Sequence, residues 1–157
     1  MNYYRLIILI LLSLNIGCNE TYIVNDTNIK VNITSIEQLA DNAYNNQVWE
    51  DVIKYYRKLI KISPHEPELF FRVGNAHSHL GETDSAIVAY KKALETDQFN
   101  SKILHNLGVA QLRESTKTFV KLKEHTNLND PLNTRSRLVI NAIVELLNKE
   151  SMTKFEN

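Results

Sequence analysis

Pro67 to Asn100 reads PELFFRVGNAHSHLGETDSAIVAYKKALETDQFN. Large and small residues recur in it at helical spacing, first through Phe70, Val73 and Gly74, then through Ala86, Tyr90 and Ala93. Glycine inside a helix costs roughly 1 kcal/mol relative to alanine, so Gly74 needs a structural reason. The missing side chain would let a neighbouring helix backbone come close. Ala86, Ala89 and Ala93 stand at i, i+3 and i+7 and share one face, which predicts small residues on the opposing helix.

Outward from this stretch the chain is self-similar with a period of 34 residues. One step back, Ile36, Leu39 and Ala40 fall in phase, with Trp49 and Tyr56 later in the same unit. Ser63-Pro64 supplies a stop after Ile62, because proline disfavours helix at the residue before it. One step forward, Leu104, Leu107, Gly108 and Ala110 are in phase, but ESTKTFVKLKEHTNLND has lost the alanine and aromatic pattern. Another step places Leu138 and Ala142 within LVINAIVELLNKE.

These residues resemble the tetratricopeptide repeat, a pair of antiparallel helices that stacks into a right-handed superhelix. Leu80-Gly81 closes the first helix as in that family, and Asp84 falls where the second usually opens. His77 and Gln98 depart from the usual Tyr and Pro. The resemblance implies an all-α solenoid with units at 33–66, 67–100 and a degenerate 101–134, closed by a capping helix within 135–157. Gly74, Ala86, Tyr90, Ala93 and Gly108 would pack the seams between helices. A single helix pair cannot bury both of its faces, so about three units are needed for stability.

Met1 to Cys18 reads MNYYRLIILILLSLNIGC. Its apolar run is roughly 11 residues, short of the about 20 that a spanning helix needs, which suits a secretory leader. With Gly17 directly before Cys18, the segment resembles a bacterial lipoprotein signal, although Asn15 and Ile16 depart from the usual lipobox. That resemblance implies removal of residues 1–17 and acylation of Cys18, which anchors the protein to a membrane of the bacterial envelope. Residues 19–32, NETYIVNDTNIKVN, lack helical periodicity and are read as a polar tether spanning on the order of 20 Å.

The 157 residues carry 18 Lys and Arg against 18 Asp and Glu, a balance that argues against a nucleic-acid partner. One cysteine leaves no internal disulfide framework and no Cys-rich zinc site. His77 and His79 would lie roughly 200° apart on a helix, unlike the i, i+4 pair that holds a metal. No phosphate loop or catalytic constellation accompanies them, so neither an enzyme nor a cofactor is expected.

Repeat proteins of this kind bind a protein or peptide partner along a concave face made by first helices. The family pattern places Glu37, Asp41 and Tyr44 there from the first unit, then Phe71, Asn75, Ser78 and His79, then Lys102, His105, Val109 and Arg113. The family's carboxylate clamp would meet Glu37 and Asp41 in its first two positions, and like charge would repel its ligand. A groove acidic at one end and basic at the other suits an extended peptide of mixed charge. The alternative is a homo-oligomer that assembles through Leu138, Val139, Ala142, Ile143, Leu146 and Leu147 of the last helix.

Overall fold

The computed structural model describes residues 26–153, with side chains over 32–149. Six helices follow one another: α1 (Asp26–Asn45), α2 (Trp49–Ile62), α3 (Pro67–His79), α4 (Thr83–Leu94), α5 (Ser101–Glu124) and α6 (Pro131–Thr153). No strand occurs among the described residues, and the fold is an all-α stack of helix hairpins. The packing below belongs to one compact unit that begins at Asn32, within α1. In that unit α2 packs on α3, α3 on α4, α4 on α5 and α5 on α6, with a lighter contact between α3 and α5.

The period of 34 is visible in the turns. Between α1 and α2, Asn46 N–H donates to Asn42 C=O (3.0 Å), Gln47 to Tyr44 (3.1 Å) and Val48 to Ala43 (2.9 Å). Between α3 and α4, Leu80 donates to Ala76 (3.0 Å), Gly81 to Ser78 (3.2 Å) and Glu82 to His77 (2.9 Å). Each bond of the second set stands 34 residues after its counterpart in the first. The residue that reverses the chain has positive φ in both, 57° at Gln47 and 75° at Gly81. Glycine adopts that conformation without a Cβ penalty, and glutamine does not.

The same step forward from Gly81 reaches Ser115, which lies inside α5. Here the chain has no glycine to turn on, and Glu114 and Lys117 pair across one helical turn at 2.9 Å. The helix therefore runs on for 24 residues. This changes the expected third unit and cap. Residues 114–124 continue the first helix instead of forming a degraded second one, and α6 starts at Pro131, not 135. The helix read as a solitary cap is the second arm of an elongated hairpin with α5. Asp130 Oδ1 accepts the Leu132 N–H at 2.8 Å and so caps α6. Buried Asn133 donates from Nδ2 to the Lys123 (3.0 Å) and Thr126 (3.2 Å) carbonyls, which ties the start of α6 to the end of α5.

At the other end, α1 begins at Asp26, inside the stretch 19–32 read as tether. Residues 26–32 are thus helical where the sequence reading has a tether. Cys18 and the leader lie outside the described residues.

Two apolar clusters hold the stack. Ala40, Ala43, Val52, Tyr56, Leu59, Val73, Ala76 and Ala89 form one. Ala86, Tyr90, Ala93, Ile103 and Ala110 form the other. The three alanines of α4 thus do not serve one seam: Ala89 belongs to the cluster that holds the first hairpin, while Ala86 and Ala93 belong to the one that holds Ile103 and Ala110 of α5. Gly74 and Gly108 also part company. A Cβ on Gly74 would stand 2.5 Å from Cε1 and 2.6 Å from Cδ1 of Tyr90, so the close approach is by an aromatic ring and not by another backbone. Gly108 has open space around its Cα, and no seam depends on it.

Gly74→Ala must displace the buried Tyr90 ring and is expected to cost about 1–3 kcal/mol in thermal or urea unfolding. Gly108→Ala, which meets nothing, is the control and should gain stability through helix propensity. Gln47→Gly relieves the left-handed strain of the first turn and should raise stability by about 1 kcal/mol in the same measurement.

Candidate binding face

Tyr44 on α1, Asn75 on α3 and Asn106 on α5 come from successive first helices, and hydrogen bonds join them in a row. Asn75 Nδ2 donates to Tyr44 Oη at 2.8 Å. Its Oδ1 accepts from Asn106 Nδ2 at 2.9 Å and from Tyr90 Oη at 2.9 Å. Next to this row, Arg113 Nη1 donates to Ser78 Oγ at 3.1 Å. Burial pushes the Tyr90 phenol up to about 12, which keeps it a neutral donor at physiological pH.

This arrangement sorts the residues expected on the groove. Asn75 is only 9% exposed, and its amide is committed to three neighbours, so it is part of the frame that holds the first helices in register. Tyr44 is half-buried, edge-on to Trp49 (centroids 5.8 Å apart) and Tyr56 (6.4 Å). The Arg72 guanidinium lies 4.2 Å over its ring. His79 stacks flat on Trp49, with ring centroids 4.0 Å apart and planes 3° apart, which fastens the end of α3 to the start of α2. Phe71, Ser78 and Val109 are half-buried; Glu37, Asp41, Lys102, His105 and Arg113 are exposed.

Asp41 has a structural task as well: Tyr56 Oη donates to its Oδ1 at 2.7 Å. Burial and this carboxylate both push the Tyr56 phenol above its ordinary range. For Arg72, burial opposes the charge, but Glu68, 2.6 Å from Nε, more than offsets that and holds the guanidinium above its ordinary pKa. The first-helix side therefore presents carboxylates on α1 and the start of α3, and cations on α5.

Two further features were not visible in the sequence. A cleft of about 460 Å³ lies between α1 and α3, floored by the end of α2. Another, of about 700 Å³, lies between the second helices α2 and α4 over Phe70 and Val73 of α3. His77 is buried at the base of the latter, and its Nδ1 is 2.5 Å from Glu82 Oε2. Its Nε2 is 3.4 Å from Arg57 Nη2, so the ring bridges the two hairpins. The histidine that replaces tyrosine in the repeat pattern was the available signal. Among the described residues no group of His, Cys, Asp or Glu could hold a metal ion, and no helix is long and apolar enough to cross a membrane.

No curated protein matches the chain in sequence. Among solved structures, the crystal structure of yeast Tom70 aligns at 18% identity over 81% of this chain, with a TM-score of 0.49. The aligned part is 26% of that structure's chain, so this protein spans about a quarter of its length. The family model that matches is the Tetratricopeptide repeat, over residues 67–100. That match takes in α3, the turn at Gly81 and α4, so the middle hairpin of the stack is similar to one tetratricopeptide repeat.

Proposed function

We propose that this protein is a lipid-anchored interaction module of the bacterial cell envelope that holds an extended segment of a partner protein against its first helices. The observation that carries the reading is the row Tyr44–Asn75–Asn106, which locks three first helices together below exposed side chains of mixed charge. First helices already held together by this row would lower the ordering cost of binding. The tetratricopeptide match over 67–100 supports the same role, since such repeats present first helices to partners. The leader ending in Gly17-Cys18 supports the anchor, which would raise the effective concentration of the face near a membrane-bound assembly. The reading extends to a part in assembling an envelope complex, which rests on analogy with repeat lipoproteins alone.

A second reading, self-association through α6, is favoured by one observation. Leu138 is 65% exposed and Leu146 59% exposed, and with Ala142 they form a stripe at i, i+4 and i+8 that α5 does not cover.

A photoreactive residue placed at Lys102 should crosslink a discrete partner in the native cell, and the same residue at Lys91 on the second-helix side should not. Capture of the protein's own chain through position 142, with a mass that changes over a micromolar range in sedimentation, would instead support the α6 reading. Cys18→Ala should abolish incorporation of labelled palmitate and release the protein from membranes; unchanged labelling would overturn the anchor.

A further inference from the structure

Among the described residues, the cleft between α1 and α3 is lined by more carboxylates than cations. Glu37 and Asp41 from α1 line it together with Glu66 and Glu68, and among the described residues Arg72 is its one lining cation. Arg72 is already engaged, with Nε on Glu68 at 2.6 Å and its face on the Tyr44 ring. The floor is apolar: Leu59 is buried, Leu69 half-buried and Ile62 48% exposed. Exposed carboxylates that line one cleft repel one another, and a cation brought among them relieves that repulsion. An aliphatic side chain beside the cation would cover Ile62 and Leu69, which the protein leaves partly open to water.

We infer that this cleft takes the part of the partner segment in which lysine or arginine alternates with aliphatic residues. The inference rests on the interaction reading above and adds the chemistry of the ligand. It also gives the segment a polarity along the face. Its basic, aliphatic part lies at α1 and the start of α3, and any acidic part lies toward Lys102 and Arg113 of α5. A ligand held chiefly by a terminal carboxylate is disfavoured at the α1 end, where it would meet like charge.

The test measures fluorescence anisotropy of three labelled decapeptides with the full-length protein in neutral detergent. The peptides alternate Lys with Leu, Glu with Leu, and Lys with Ser. The Lys–Leu peptide should bind most tightly, and the Lys–Ser peptide should lose affinity for want of aliphatic contact. Raising salt from about 50 mM to about 0.5 M, which shortens the screening length from about 14 Å to about 4 Å, should weaken Lys–Leu binding. The double variant Glu37→Gln with Glu66→Gln should weaken it about fivefold or more. Both positions are exposed, and an unchanged thermal melt confirms an intact fold. A preference for Glu–Leu, or Lys–Leu binding indifferent to the double variant, overturns the inference while the interaction reading stands. Failure of all three peptides overturns the inference, and the interaction reading is then decided separately by crosslinking at Lys102.

Discussion

A phenol ring lies against bare backbone where α4 crosses α3: Tyr90 occupies the space that any side chain at position 74 would need. The same ring carries its hydroxyl to Asn75, one residue further along α3. Packing and hydrogen bonding therefore fix the two helices at one place, and each depends on the other. Were α4 to slide, the hydroxyl would lose its acceptor in a buried setting, at a cost of about 1–3 kcal/mol. Asn75 passes this constraint outward, to Tyr44 of the first hairpin and Asn106 of the third. One central contact thus sets the register of three first helices, and with it the spacing of the exposed side chains above them.

The turns show how a 34-residue repeat is built and how it lapses. Two hairpins reverse through the same backbone bonds, with glycine at the left-handed residue in one and glutamine in the other. The third has Ser115 at that place and an ion pair across the helix, and no reversal occurs until His125. Propagating an existing helix adds a hydrogen bond per residue without a new nucleus, so the chain continues when nothing specific stops it. The result is a long final hairpin in which α6 rests on α5. Because α6 rests mainly on that one neighbour, part of its apolar surface stays open.

Charge is distributed along the first helices in a way that the formal balance of the whole chain conceals. Eighteen cations and eighteen anions cancel in total, yet carboxylates gather at α1 and the start of α3 while Lys102 and Arg113 stand on α5. Such separation would orient a charged partner more than tighten it, because exposed pairs contribute little energy each but penalise the reversed arrangement. The interior of the row is closed to a ligand, since its amides and hydroxyls already bond to one another.

Local patterns along the chain were enough for the helices of the middle hairpin, for the stop at Ser63-Pro64 and for the 34-residue period, since spacing of small and large residues acts over neighbouring turns. The glycine at position 74 signalled a close approach, but only the folded packing showed that a ring makes it, and that Gly108 has no such neighbour. The length of α5 escaped the repeat pattern because a missing stop is a weak signal beside an expected one. The role of Asn75 escaped for a different reason. Its three partners lie 15 or 31 residues away, and a buried amide and a ligand-facing one are the same letter in a sequence. Composition and periodicity determine which faces of each helix are buried; which polar groups meet across those faces is decided only when the helices are placed side by side.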